Sequence, residues 1–232
     1  MRREYDLIAD EYYDRELHPT IACLREGARI GIHRVLSTLQ RTTVLRACEV
    51  GCGHPIVNQV DELRNASLMG LDLSPSMLGN ADLLCMLGDA EAMPFGSGTF
   101  DLLVASLSDP FNTPQFYSEA RRVLSPGGSL VFAVPDYEWV RFNQRREGIG
   151  EDSAAIRRED GSIVIVPSLV YAQPQQEEML QRAGFPQTAV QVVSFSDLTP
   201  RREIPPRFLD QSGELISQNI ITAYSAQLPH PA

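Results

Sequence analysis

The residues Glu49-Val50-Gly51-Cys52-Gly53 close an apolar run, Val44-Leu45-Arg46-Ala47-Cys48, with a carboxylate and two glycines. A strand that ends this way brings an acid and bare backbone to one point, an arrangement suited to a nucleotide-like ligand of the adenosine type. Alone, a Gly-x-Gly turn is weak evidence, because ordinary strand-to-helix connections use glycine too. Spacing strengthens it. Asp72 ends a second apolar run, Leu68-Met69-Gly70-Leu71. It stands about 20 residues beyond the turn, where an open α/β sheet places the acid that bonds a ribose hydroxyl. Asp89 follows a third short run, Leu83-Leu84-Cys85-Met86-Leu87, so three expected strand ends carry acids at one edge.

Those acids need a sheet to hold them together. From Val44 to Val134 short apolar runs alternate with helical patterns, the signature of βαβ units around a parallel sheet. Before them, Pro19 to Gln40 sets Ile21, Leu24, Ala28, Val35, Leu36 and Leu39 at helical spacing, with Pro19 suited to a first turn. Pro55 similarly predicts a helix over Ile56 to Leu63. Thr113-Pro114 opens a helix through Phe116, Ala120 and Leu124, and Ser125-Pro126-Gly127-Gly128 breaks it before a strand from Ser129 to Val134. Between Pro135 and Gln173 the alternation stops. Asp160-Gly161 there predicts a hairpin pairing Ile156–Arg158 with Ile163–Val166, which reads as an inserted cap. A helix from Gln175 to Ala183, a strand from Thr188 to Phe195, a Pro- and Arg-rich loop and a last strand near Ile220 to Ala226 complete the chain.

At 232 residues and 43% hydrophobic composition, the chain suits one α/β domain with a buried core. Its parts are expected to be an N-terminal helical lid segment (1–40), a cofactor-binding core (41–135), a cap insert (136–173) and a C-terminal completion of the sheet (174–232). A formal net charge of −10 argues against a nucleic-acid substrate, which would need a basic face. The arginine doublets at 145–146, 157–158 and 201–202 sit in no longer basic run and read as solvated charge. No secretory signal or bilayer-length apolar run is visible, so the expected location is cytoplasmic, without a membrane partner. Cys23, Cys48, Cys52 and Cys85 lack metal-type spacing; they read as small hydrophobes, and no metal is expected.

Five motifs in order resemble the class I S-adenosylmethionine-dependent methyltransferases, and within them the small-molecule group related to ubiquinone-biosynthesis methyltransferases. They are Glu49-Val-Gly-Cys-Gly53, Leu71-Asp-Leu-Ser-Pro-Ser-Met-Leu78, Gly88-Asp-Ala-Glu-Ala-Met-Pro-Phe95, Phe100-Asp-Leu-Leu-Val-Ala-Ser106 and Arg121-Arg-Val-Leu-Ser-Pro-Gly-Gly128. The resemblance implies an α/β, Rossmann-like fold with a mostly parallel seven-stranded sheet, closed by an antiparallel pair, with an N-terminal helical segment and an inserted cap. It implies S-adenosylmethionine as cofactor and a small-molecule acceptor. The cofactor-binding set it implies is Tyr13, Glu49, Gly51, Gly53, Asp72, Leu73, Asp89, Ala90 and Ser106. Among these, Glu49 and Gly51 would lie near the methionine part, Asp72 on the ribose, Asp89 on the adenine amino group and Ser106 at the cofactor's edge. The segment Tyr5 to Asp14 is similar to the family's leading segment, which folds over the cofactor. His54-Pro55 stands where the family commonly carries a third glycine.

Methyl transfer from a sulfonium is an in-line displacement, so a protein chiefly supplies alignment and a dry pocket. A hydroxyl or protonated amine as acceptor also needs a base. His18, ahead of Pro19, and Asp109, after the fourth strand, are the catalytic candidates; either also suits a structural cap or turn. His33 is assigned no role, and His54 lies nearer the cofactor turn. Tyr12, Tyr13, Phe111, Phe116, Tyr137, Trp139 and Phe142 flank the expected pocket mouth, with core packing the better reading for Phe116. Three functions compete. They are a small-molecule methyltransferase, a homologue that binds the cofactor without methyl transfer, and a nicotinamide-dependent oxidoreductase, which would want glycine in place of Ile56.

Overall fold

A computed structural model describes residues 2–39, 46–79, 82–198 and 219–229. Its centre is a seven-stranded sheet in the order β3-β2-β1-β4-β5-β9-β8. Strands β1 (Arg46–Val50), β2 (Ser67–Asp72), β3 (Cys85–Leu87), β4 (Phe100–Ser106) and β5 (Leu124–Pro135) run parallel. β9 (Asn219–Gln227) inserts antiparallel between β5 and β8 (Gln187–Ser194), giving the antiparallel closure implied by the motifs. The chain reverses direction across the sheet between β1 and β4, and such a switch point opens a crevice at the strands' C-terminal ends. Val44, Leu45 and the Pro- and Arg-rich stretch 199–218 lie outside the described residues.

Two apolar layers fix this sheet. On one face α2 (Pro19–Thr38) turns Leu24, Ala28, Ile32, Val35 and Leu36 onto β5, β8 and β9, the stripe its periodicity predicts. On the other, α3 (Pro114–Val123) and α5 (Gln173–Arg182) bury Phe116, Tyr117, Ala120 and Leu180 against Phe132 and Tyr224. Thr113 caps α3 by accepting from the Phe116 amide at 3.2 Å, as Thr-Pro predicts. Phe116 is therefore core.

Three local expectations change. The helix expected over Ile56 to Leu63 is two 3-10 turns, Val57–Gln59 and Asp61–Leu63, joined at an extended Val60. The β-branched Val57 and Val60 resist helix, and three residues separate Leu63 from β2, too few to continue one. The irregular stretch after Pro135 begins with a helix, α4 (Tyr137–Glu147). Asp136 caps it by accepting from the Trp139 amide at 3.1 Å, and Gly148 ends it in the left-handed region at φ 65°. The hairpin pairs β6 (Ser153–Arg157) with β7 (Ile163–Pro167); it begins three residues before the expected Ile156, β7 runs one residue past Val166, and Arg158 belongs to the turn.

The hairpin's inner residues Val164 and Val166 pack on Ile8, Tyr5 and Tyr12 of the N-terminal segment, which begins with α1 (Arg2–Asp6). Glu11 clips the two together, accepting from Arg158 Nε at 2.9 Å and from the Glu159 amide at 3.1 Å. Tyr5 to His18 and the hairpin are thus packed as one unit beside the sheet's C-terminal edge.

Candidate active site

The glycine turn works because of what rests on it. Gly51 (φ 65°) and Gly53 (φ 44°) adopt a backbone that side chains disfavour. A Cβ on Gly51 would meet the Phe111 ring at 2.5 Å, and one on Gly53 would strike the Tyr13 hydroxyl. Tyr13 accepts from the His54 amide at 2.9 Å, stacks on the His54 ring at 3.7 Å and lies under the Arg25 guanidinium at 4.7 Å. Arg25 also donates to the His54 carbonyl at 2.8 Å. His54 thus anchors Tyr13 to the turn.

The acids divide the work differently from the expectation. Glu49 is buried and fully occupied. Its Oε2 accepts from the Ile56 and Val57 amides at 3.0 and 3.1 Å, and its Oε1 from the Ser106 hydroxyl at 2.7 Å. Burial raises its carboxyl to about 7 against those hydrogen bonds. Glu49 and Ser106 therefore brace the turn and the end of β4, and neither lines a cavity described here. Asp72 accepts from the Gly53 amide at 2.9 Å and the Ser74 amide at 2.8 Å, and burial raises its carboxyl as well. Asp89 accepts from the Glu91 amide at 2.8 Å.

Gly51, Asp72, Leu73, Asp89 and Ala90 line a cavity of about 80 Å³ with Tyr5, Leu107 and Phe111. The expected set is therefore brought together at this cavity, except Glu49, Gly53, Ser106 and Tyr13. Of these, Gly53 touches it through Asp72, and Tyr13 touches Gly53. Asp6 accepts from the Ser74 hydroxyl and ties α1 to the cavity's rim.

A second cavity, about 510 Å³, adjoins the first, sharing Tyr5 and Leu107 as common wall. The N-terminal segment, α2, α4 and the hairpin line it, and its surface includes Tyr12, Leu24, Trp139, Val140, Ile149 and Val166. Leu107 is the sole non-glycine residue with positive φ (53°) among the described residues, which places strain where the two cavities meet. Both catalytic candidates line the larger cavity, with Asp109 two residues after Leu107 and His18 at the start of α2. Burial raises the Asp109 carboxyl to about 7, opposed by a hydrogen bond from the Ser168 hydroxyl. A buried network holds its loop. Asn112 Nδ2 donates to the Leu169 carbonyl and to Gln176 Oε1, both at 2.9 Å, and Gln176 Nε2 donates to the Tyr117 hydroxyl at 2.7 Å. Of the remaining aromatics, Tyr137 packs on the core under Arg141, and Phe142 stays outside both cavities. His33 is exposed and bonds Glu62 at 2.8 Å.

Comparison with known proteins meets this geometry. Residues 48–132 match a family described as "Methyltransferase domain". The chain is 31% identical over 122 residues to a malonyl-[acyl-carrier protein] O-methyltransferase of Herminiimonas arsenicoxydans, covering 50% of this chain and 46% of that one. It is 34% identical over 118 residues to a phthiotriol/phenolphthiotriol dimycocerosates methyltransferase of Mycobacterium leprae, covering 46% and 43%. The chain thus spans less than half the length of these curated relatives. A Thermotoga maritima S-adenosylmethionine-dependent methyltransferase, described as a possible histamine N-methyltransferase, shares the fold over 98% of this chain and 99% of its own, at TM-score 0.64 and 16% identity. A putative methyltransferase solved with the Haloferax volcanii Trm112 activator does so over 100% and 98%, at 0.67 and 19%.

By sheet order and by the match over residues 48–132, the chain has the fold of the class I S-adenosylmethionine-dependent methyltransferases and carries a segment similar to their methyltransferase domain. The likeness to the ubiquinone-biosynthesis group stays at the level of the motifs. The family's cofactor fits the residues present. The Asp72 carboxylate accepts two amides and still has lone pairs for ribose hydroxyls, and Leu73, Ala90 and Phe111 offer apolar faces to a purine. Among the described residues no helix is long and apolar enough to cross a membrane.

Proposed function

We propose that this protein transfers a methyl group from S-adenosylmethionine to a small, largely apolar acceptor held in the 510 Å³ cavity. The observation that carries this reading is the wall of Tyr5 and Leu107 common to both cavities, which brings a bound methyl donor and a bound acceptor within contact. When bound, the cofactor supplies an activated methyl group on a sulfonium. The chain's residues do the rest. Asp72 orients the ribose, Asp89 and Ala90 border the base, and Gly51 leaves the backbone open beside Phe111. The apolar walls exclude water and hold the acceptor in line.

Asp109 serves as the base, taking the proton of a hydroxyl or amine acceptor. It is favoured over His18 because it stands two residues after Leu107 at the sheet edge, whereas His18 also lines a separate small cavity with Tyr13 and Arg29. The names of two relatives give acceptors other than nucleic acid, a malonyl-[acyl-carrier protein] and phthiotriol/phenolphthiotriol dimycocerosates. Net acidity disfavours a nucleic-acid acceptor. Residues 5–18 with the insert form the lid over the acceptor. Incubation with S-adenosylmethionine carrying a labelled methyl group and an extract of small metabolites, followed by mass spectrometry, tests the reading. Label in a small apolar product supports it. Label confined to tRNA, DNA or protein, or bound cofactor with no label transferred to any fraction, refutes it.

A further inference from the structure

The larger cavity holds a polar atom that this reading leaves unused. Asn143 stands on α4 with Trp139 and Glu147, one residue per turn, and all three line the cavity. Its Nδ2 donates to the Trp139 carbonyl at 2.8 Å. That bond fixes the amide, because a carbonyl cannot pair with Oδ1. Oδ1 is buried without a partner, in a residue 7% exposed. Its neighbour Gln144 is fully engaged by contrast. There Nε2 donates to the Glu151 and Ser153 carbonyls at 2.8 and 3.0 Å, and Oε1 accepts from Arg141 at 2.9 Å. A buried acceptor with empty lone pairs is costly, and one kept on an apolar wall marks a place where a donor arrives. Asparagine is also a weak helix former, and leucine would suit both the helix and the wall.

We infer that Asn143 determines substrate specificity, its Oδ1 accepting a hydrogen bond from a hydroxyl or N–H that the acceptor carries besides the group to be methylated. The substrate class is then an apolar frame with two polar donors. One faces Asp109 at the sheet edge. The other lies near Asn143, a helical turn or about 6 Å along α4 from Trp139. The inference rests on the larger cavity being the acceptor site.

Trp139 is the chain's single tryptophan and lines this cavity, so its fluorescence reports occupancy. With S-adenosylhomocysteine present, the protein is titrated with pentylphenols and the corresponding dihydroxy pentylbenzenes, with excitation selective for tryptophan. At least one dihydroxy compound should bind about tenfold more tightly than its monohydroxy partner. Asn143→Leu and Asn143→Ala should both reduce that preference to about twofold or less while binding the monohydroxy compound at least as well. Equal binding of every pair by the parent, or a preference unchanged in the variants, overturns the role of Asn143 and leaves the acceptor site standing. If S-adenosylhomocysteine binds but no phenol alters Trp139 emission, the acceptor-site reading fails and the inference with it.

Discussion

Replacing Asp109 by asparagine separates a buried base from a buried ornament. The carboxyl is 9% exposed and raised from 3.8 to about 7 by burial. Unfolded, the same group ionises near its ordinary value. Below pH 4 both states hold the proton and the fold bears no penalty. Between pH 4 and 7 the unfolded chain releases it while the folded chain keeps it, so stability falls as pH rises and the loss is complete above about 7. Roughly three pKa units at about 1.4 kcal/mol each make that loss on the order of 4 kcal/mol. Urea unfolding of the parent at pH 5 and pH 8 should show the decline, and Asp109→Asn should remove Asp109's share of it. Methyl transfer by the parent should rise with a midpoint near pH 7 as the base ionises. The variant should lose about 100-fold or more in rate, together with that limb of the profile. Equal pH slopes of stability in parent and variant would refute the burial argument, and an unchanged rate would refute the base.

Three further outcomes are expected. Glu49→Ala, which strands two amides and the Ser106 hydroxyl, should destabilise the fold by about 3–5 kcal/mol, whereas Glu49→Gln should cost about 1 kcal/mol, both read by urea denaturation. Asp72→Asn should weaken S-adenosylhomocysteine binding by about 2 kcal/mol in calorimetry with little change in melting temperature; unaltered affinity would remove Asp72 from the ribose. Hydrogen exchange in residues 5–18 should slow when S-adenosylhomocysteine binds, and unchanged protection there would deny the segment its role as a lid.

The sheet was legible because each of its parallel strands leaves a local mark. Asp72 and Asp89 follow short apolar runs, and Gly51 and Gly53 sit where only glycine suits the backbone. Such marks need no knowledge of distant residues. The use of Glu49 was hidden because its partners are backbone amides at 56 and 57, whose orientation depends on a 3-10 turn rather than the helix that Pro55 suggested. Helix α4 did leave a signal, Asp136 as cap and Gly148 as stop, which Arg141, Arg145 and Arg146 obscured by making the stretch look like a charged loop. The larger cavity leaves no such mark. Its walls come from residues 5–24, 107–109, 135–157 and 166–168, and only their tertiary arrangement makes a cavity of them.

The wall of Tyr5 and Leu107 also bears on how the two cavities open. Tyr5 belongs to α1, which Asp6 ties to Ser74 on the rim of the smaller cavity, while Ile8 and Glu11 tie the same segment to the hairpin over the larger one. A segment fastened at both ends couples the walls of the two cavities: under the proposed lid role, one displacement of it bares both cavities at once rather than either alone.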